Sequence, residues 1–551
     1  MSTHPWLSQY PKEVSADIPV DKYASVPDLL QDCVKKYGEM PAFINMDKSL
    51  SFNKADELST HFASYIQNYT NLKPGDRIIL QMPNLLQYPV ALFGAIKAGL
   101  IVVNTNPLYT ESEMEHQFKD AGAKAIVVLA NFASKVAHIQ KNTALETIIV
   151  TEVGDMLGGL KGTFVNFAVK YLKKMVPPFQ ISNAVKFNTV LEQGAGRKWE
   201  KPAIQSSAVC FLQYTGGTTG VSKGAMLTHK NIISNALQSY EWFKPALKDR
   251  QEIVITPLPL YHIFALTSNL FTMLLYGAKN ILITNPRDMK SFIKDLKKYP
   301  PTLMTGVNTL FNGLLNQEAF KTVDFSKFKM AVGGGMAVQR PVAEKWEAIT
   351  GKRIAEGYGL TETSPVLCCN LVDGRTRLGT IGLPIPGTDI KIITDEGKEA
   401  AVNEPGELWA KGPQVMAGYW QKPEETAKVM EGAWIKTGDV ATIDEEGFFK
   451  IVDRKKEMIL VSGFNVYPNE VEEVIAKNPK VLEVGVKGCP DEKTNEAVKA
   501  FIVKKDPTLT EEEVRTFCKQ YLTSYKVPKH VVFREELPKS NVGKILRRLM
   551  K

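Results

Sequence analysis

Runs of four or five consecutive apolar residues recur along the first two-thirds of the chain. Between them, apolar positions return every three or four residues. The runs Arg77–Gln81, Ala125–Leu129, Thr147–Val150, Val209–Leu212, Ile253–Pro257, Asn280–Thr284 and Met330–Val332 predict short buried strands. Tyr88–Ala98, Glu111–Ala121 and Met289–Tyr299 carry helical spacing. Strand–helix alternation predicts an α/β fold with largely parallel, layered sheets. From about Gly382 the pattern shifts to short β pieces between Gly and Pro turns (Ile390–Ile393, Gly406–Lys411, Ala441–Ile443, Phe448–Val452), which predicts a β-rich subdomain. The charged stretch Asp453-Arg-Lys-Lys-Glu457 interrupts, and a compact α+β pattern follows. It has a helix from about Asn469 with Val471, Val474 and Ile475 on one face. Strands come next at Val481–Val486 and Ala497–Val503, then a helix opened by a Thr510–Glu513 capping box, and a last strand Val531–Arg534. The expected organisation is a large N-terminal domain over 1–452, a hinge at 453–456 and a small α+β C-terminal domain over 457–551.

The chain is long enough, at 551 residues, for more than one domain. Apolar residues at 44% and charged residues at 23% exclude disorder, collagen-like repeats and coiled coil. A net charge of +9 over so large a surface is a mild bias, and no nucleic-acid partner is expected. The segment Asp453–Lys551 holds 20 basic and 15 acidic residues, so over half of that charge sits where a cationic lid would cover an anionic ligand. The six cysteines form no CxxC pair and no zinc-spaced cluster, which fits a reducing compartment. The longest apolar region, Ile78–Val103, is broken by Pro83, Pro89, Asn84, Gln87 and Lys97, so no membrane span is expected. No basic region followed by an apolar run opens the chain, so no secretory signal is expected and the location expected is cytoplasmic.

The sharpest local signal is Tyr214-Thr-Gly-Gly-Thr-Thr-Gly-Val-Ser-Lys-Gly224, entered from the strand Val209–Leu212. Its glycines let backbone approach an anion, Thr215, Thr218 and Thr219 offer hydroxyls, and Lys223 adds a positive charge. It is not a Walker A loop, because no Gly-Lys-Ser/Thr adjacency occurs. A Gly/Thr turn would look similar; the hydroxyls and the lysine together favour a phosphate cradle. Four further segments follow in order: Gly357-Tyr-Gly-Leu-Thr-Glu-Thr-Ser-Pro365, Trp434-Ile-Lys-Thr-Gly-Asp439, Asp453-Arg-Lys-Lys456 with Val461-Ser-Gly-Phe-Asn-Val-Tyr-Pro-Asn-Glu470, and Pro538-Lys-Ser-Asn-Val-Gly-Lys544.

Together these five motifs resemble the set that marks the AMP-forming acyl-CoA synthetase, adenylation-domain and luciferase superfamily. The resemblance covers nearly the whole chain and is strongest toward bacterial long-chain fatty-acid–CoA ligases. It implies a two-step reaction: a carboxylate attacks the α-phosphate of ATP to give an acyl-adenylate and pyrophosphate, then the thiol of CoA displaces AMP. It also implies roles. Thr215, Gly216, Gly217, Thr218, Thr219, Gly220 and Lys223 would surround the phosphates, and Gly357, Tyr358 and Thr361 the adenine. Asp439 would hold the ribose diol, with Arg454 on the ribose or the AMP phosphate. Thr215 and Glu362 would serve Mg2+. Lys544 would bridge the carboxylate and the α-phosphate. Lys456 would be the hinge about which a mobile C-terminal domain turns between half-reactions, and Gly463 would line the CoA tunnel.

The segment Pro257-Leu-Pro-Leu-Tyr-His-Ile-Phe-Ala-Leu266 lies where relatives form the acyl pocket. Amino-acid-activating relatives place an aspartate there; here the residue is His262, so a substrate ammonium would go unpaired, which disfavours amino acids. His262 is assigned to the adenylate or carboxylate by resemblance. Gly334 and Gly335, in Gly333-Gly-Gly-Met-Ala337, leave room for a long thin ligand or equally form a tight turn. The expected partners are therefore a fatty acid, ATP and CoA. A homodimer and peripheral contact with the inner face of the membrane are further expectations. The second rests on Gly162–Gln180, where Phe164, Phe167, Ala168, Tyr171, Leu172 and Met175 recur at helical spacing opposite Lys170, Lys173 and Lys174. A helix packed on its own domain would show the same pattern.

Overall fold

The computed structural model describes residues 4–215, 222–540 and 543–551, so Gly216, Gly217, Thr218, Thr219 and Gly220 of the glycine-rich loop lie outside the described residues. Two large sheets form the body. The first runs Ala184–Lys186, Thr147–Thr151, Ala125–Leu129, Arg77–Gln81, Ile101–Asn104, Val209–Thr215, Lys223–Thr228 in space. Its strands are parallel except the last pair, which is antiparallel and flanks the glycine-rich loop. The second sheet has a parallel centre: Ile354–Gly359, Met330–Gly333, Leu303–Gly306, Ile253–Thr256, Lys279–Leu282, Pro41–Asn45. Antiparallel strands flank it at both ends. Strands such as Ala125–Leu129 are buried along their whole length, which explains their unbroken apolar sequence.

The interrupted apolar run is accounted for by docking. Helix Gln87–Lys97 is buried at every residue. Its polar residues meet neighbours: Gln87 donates to the Glu152 carbonyl at 2.8 Å, and Lys97 reaches Asp56 Oδ1 at 2.6 Å with Ser59 and Thr60 hydroxyls at 2.8 Å. Among the described residues no helix is long and apolar enough to cross a membrane.

A third, antiparallel sheet contains Asp389–Ile393, Gly406–Lys411, Trp434–Ile443 and Phe449–Arg454. Its strands extend further than the pattern predicts. Trp434–Ile443 begins seven residues before Ala441, because its first half is only partly buried and reads as polar. The strand from Phe449 continues through Asp453 and Arg454, whose charged side chains are matched by partners. The one-turn helix Lys455–Glu457 follows, and the fourth sheet starts at Ile459. This sheet consists of Ile459–Val461, Phe464–Val466, Val481–Asp491, Asn495–Lys504 and His530–Arg534, with helices Pro468–Ala476 and Glu511–Lys519. Its buried residues form clusters separate from the body's core. The Thr510–Glu513 capping box is present, with Glu513 N–H on the Thr510 hydroxyl at 3.2 Å.

The segment Gly159–Leu172 is helical, with its apolar residues turned outward. Leu160 is 91% exposed, and Phe164 and Leu172 are each 65% exposed.

Candidate active site

The Glu362 corner is assembled from three segments. Strand Ile354–Gly359 ends in the turn Thr361–Thr363, closed by Leu360 N–H donating to Thr363 Oγ1 at 2.9 Å, and this turn carries Thr361 and Glu362. Ala417–Trp420 lies along the outer strand of the first sheet: Met226 N–H donates to the Gly418 carbonyl at 2.9 Å and Trp420 N–H to the Gly224 carbonyl at 2.8 Å. That pairing fixes Tyr419, whose hydroxyl donates to Glu362 Oε1 at 2.7 Å. The Lys223 ammonium stands 4.9 Å from the centre of the Tyr419 ring and pairs with Glu425, whose carboxyl it holds down at about 2. Thr215 faces Lys223 across the strand pair, and Ser222 donates to the Thr215 carbonyl at 2.6 Å. The two ends of the glycine-rich loop are thus held together beside Lys223 and near Glu362.

The Asp439 site is built by strand pairing. Asp439 is 4% exposed, buried although it closes the turn-rich Thr437-Gly-Asp439. Its Oδ2 accepts the Tyr358 hydroxyl at 2.6 Å, and its Oδ1 lies 3.3 Å from Arg454 Nε, directly across the antiparallel pair. Burial and the adjacent Asp439 charge push the Tyr358 hydroxyl well above its ordinary range, so it remains a donor.

Lys544 sits on a tight loop. Ser540 N–H donates to the Lys544 carbonyl at 2.7 Å, Lys544 N–H to Ser540 Oγ at 3.1 Å, and Leu546 N–H to the Pro538 carbonyl at 2.8 Å. The loop docks on the body where the Thr309 hydroxyl donates to the Gly543 carbonyl at 3.0 Å. Gly543 has φ +82°, and a Cβ there would fall 2.4 Å from Thr309 Oγ1, so only glycine fits. Partial burial, then the Arg454 charge, lower the Lys544 ammonium to about 8, and Asp439 opposes the shift. His262 is lowered to about 4 by burial, then by the Lys544 charge. Lys544, His262, Asp439 and Arg454 therefore share one electrostatic neighbourhood.

His262 is neutral at physiological pH. Its Nδ1 accepts Phe264 N–H at 3.3 Å, which leaves the proton on Nε2. The loop carrying it is tied to the first sheet and to helix Gln87–Lys97: Gln213 donates to the Tyr261 carbonyl at 2.7 Å, and Tyr88 Oη lies 2.8 Å from Asn104 Oδ1 and 2.9 Å from the Leu260 carbonyl. Phe264 then meets Gly334, where an added Cβ would stand 3.0 Å from its ring and 3.2 Å from the Gly357 carbonyl. Gly335 follows with φ +75°. Lys456 is exposed in the turn Lys455–Glu457. Gly463 is not brought to this cluster: it lies in the exposed turn between Ile459–Val461 and Phe464–Val466, with nothing within 4 Å of an added Cβ.

Tyr419, Glu425, Thr309 and Phe264 complete the site without having been singled out in the sequence. Thr309 and Gly543 are 234 residues apart, and no local pattern joins them.

Chemically, this cluster combines the cationic side chains Lys223, Arg454 and Lys544 with two carboxylates, Asp439 engaged by Tyr358 and Arg454, and Glu362 engaged by Tyr419. Among the described residues no group of three His, Cys, Asp or Glu could hold a metal ion alone. If Lys544 serves adenylate formation, as the resemblance implies, it must be charged, and kcat/KM for ATP–pyrophosphate exchange should fall tenfold per unit above about pH 8. In Lys544→Arg that alkaline limb should move beyond pH ~10, because guanidinium stays protonated. A wild-type profile flat to pH ~9.5 would contradict the assignment.

The chain is similar to known proteins over nearly its whole length. The long-chain-fatty-acid–CoA ligase of Yersinia pestis is 53% identical over 98% of this chain and 97% of its own length. The long-chain-fatty-acid–CoA ligase of Bacillus subtilis is 38% identical over 99% and 97%. The crystal structure of the anthranilate CoA ligase AuaEII in complex with anthranoyl-AMP superposes with a TM-score of 0.86 at 24% identity, covering 97% of this chain and 98% of that one, which shows the shared fold. The family of AMP-binding enzymes matches residues 30–420, and the AMP-binding enzyme C-terminal domain matches residues 470–544. With the first match spanning more than half of the chain, the chain belongs to the AMP-binding enzyme family.

Proposed function

We propose that this protein is a long-chain fatty-acid–CoA ligase that works through an acyl-adenylate. The observation that supports the reading is the charge environment that Lys544, on its tight loop, shares with Asp439, Arg454 and His262. A carboxylate and a triphosphate repel each other, and a cation held between them lowers that cost as charge shifts in the transition state. A fatty-acid carboxylate oxygen attacks the α-phosphorus, forming the acyl–phosphate bond while the bond to pyrophosphate breaks. The CoA thiol then attacks the acyl carbon, its proton is lost, and the bond to AMP breaks. Asp439 orients the ribose by accepting its hydroxyls, and neutral His262 can donate from Nε2 to an acyl or phosphate oxygen.

Mg2+ fits the phosphate end. It binds hard oxygens and takes few protein ligands because it keeps its waters, and Glu362 has one carboxylate oxygen engaged by Tyr419. Glu362, with Thr215, would hold it; when bound it neutralises phosphate charge. The absence of an acid on the His262 loop suits an apolar acyl chain, and the names of the relatives supply the chain length.

The domain division is placed at the turn Lys455–Glu457, with Lys456 as the pivot. The C-terminal unit would turn there after adenylate formation, withdrawing Lys544 and bringing the segment around Gly463 to the acyl carbon. Pyrophosphate release measured with acids from acetate to oleate, with and without CoA, tests the reaction and its chain length together. Release that rises with chain length supports the reading; release with short acids alone would overturn the long-chain assignment.

The location proposed is cytoplasmic, with the helical segment Gly159–Leu172 resting on anionic membrane. Leu160, Phe164, Tyr171 and Leu172 are all more than half exposed, and Lys161, Lys170, Lys173 and Lys174 supply charge for lipid headgroups. Phe164→Ser with Phe167→Ser should abolish co-sedimentation with anionic vesicles. Unchanged sedimentation would discard this segment as the contact.

A further inference from the structure

One guanidinium, three residues beyond Lys544, is more heavily engaged than the mechanism so far requires. Arg547 forms a two-pronged pair with Glu472, Nε to Oε1 at 3.0 Å and Nη2 to Oε2 at 2.9 Å. Nη2 also donates to Asn469 Oδ1, and Nη1 to Glu457. Nη1 further lies 3.2 Å from Asp453 Oδ1. The Asp453 side chain is 1% exposed, and its oxygens also accept Arg454 N–H and Asn469 N–H, each at 2.8 Å. A carboxylate buried this deeply needs a compensating cation.

These partners fall on two sides of the turn Lys455–Glu457. Glu457, Asn469 and Glu472 belong to the C-terminal unit and would travel with Arg547. Asp453 ends a strand of the third sheet and would stay with the body. The residue next to it, Arg454, pairs with Asp439. One strand end therefore offers Arg454 to the ribose carboxylate and Asp453 to Arg547, which lies one helical turn's length from Lys544 in the chain.

We infer that Arg547 is a positioning residue: by gripping Asp453 it registers Lys544 against Asp439 in the orientation that forms the adenylate, and it releases Asp453 when the C-terminal unit turns. This rests on the two-orientation reading above. Arg547 touches no reacting atom. A structural role alone would weaken both half-reactions together; a registering role weakens the first alone.

The test uses the full-length enzyme and two variants, Asp453→Asn and Arg547→Lys, with ATP–pyrophosphate exchange and the reaction of chemically prepared oleoyl-adenylate with CoA measured separately. Asp453→Asn keeps the shape and removes the charge; Arg547→Lys keeps the charge and removes the fork. Expected is a loss of about tenfold or more in exchange for both variants, with the CoA reaction changed less than about threefold. The retained second reaction reports that each variant is folded. Glu472→Gln, which breaks a pair inside the C-terminal unit, should lower the melting temperature without separating the two reactions. Exchange unchanged, or both reactions lost equally in the two variants while Lys544→Ala separates them, overturns this inference alone. If Lys544→Ala also fails to separate them, the two-orientation reading fails with it.

Discussion

Replacing Lys544 by alanine is expected to slow acyl-adenylate formation by about 10²–10³-fold while leaving the reaction of preformed acyl-adenylate with CoA near its normal rate. The size follows from removing one preorganised charge aimed at the point where two anions meet. The asymmetry follows from where Lys544 sits. Its charge acts on His262 and is felt with that of Asp439, and its loop is docked by the Thr309–Gly543 bond, a contact the proposed rotation would break. The substitution should leave the fold intact, because the loop is closed by backbone bonds and the Ser540 hydroxyl, and not by the lysine side chain. Single-turnover measurement of each half-reaction checks both parts; equal loss in the two would refute the assignment of Lys544 to the first.

Asp439→Ala should lower kcat/KM for ATP by about 30- to 150-fold, the equivalent of roughly 2–3 kcal/mol, since ribose hydroxyls would lose a charged acceptor. The carboxylate is held by Tyr358 from the second sheet and Arg454 from the neighbouring strand, so it needs no reordering when nucleotide arrives. The loss should fall mainly on ATP and hardly on the KM for fatty acid. An Asp439→Ala enzyme with normal ATP dependence would remove the ribose role. Tyr358→Phe should give a smaller loss of the same kind, because it frees the carboxylate to turn without removing it.

The elements of the body were legible wherever burial was complete. Ala125–Leu129 and Glu111–Ala121 match their predicted bounds, because one is a strand buried on both faces and the other is a helix started by a Thr110–Glu113 capping box and ended by Gly122 in the left-handed conformation. Half-buried elements were not: Trp434–Asp439 mixes Lys436, Thr437 and a buried Asp439, and no alternation survives. The motif residues themselves could be named from sequence, but what positions them could not. Tyr419 reaches Glu362 through strand pairing with Gly224 and Met226, and Thr309 reaches Gly543 from another sheet. Such contacts depend on how sheets pack and leave no periodicity. The segment Gly159–Leu172 shows a third limit: helical spacing identifies an apolar face but not what it faces, and here it faces outward.

The most direct measurement follows oxygen through the reaction. With both carboxylate oxygens of palmitate labelled with 18O, turnover in ATP and CoA should yield palmitoyl-CoA and AMP in which the phosphate carries one labelled oxygen, because the carboxylate oxygen that attacks the α-phosphorus leaves with AMP. Label appearing in inorganic phosphate alongside ADP, or AMP formed without any label, would contradict an acyl-adenylate and with it the account of Lys544, Asp439 and the two half-reactions.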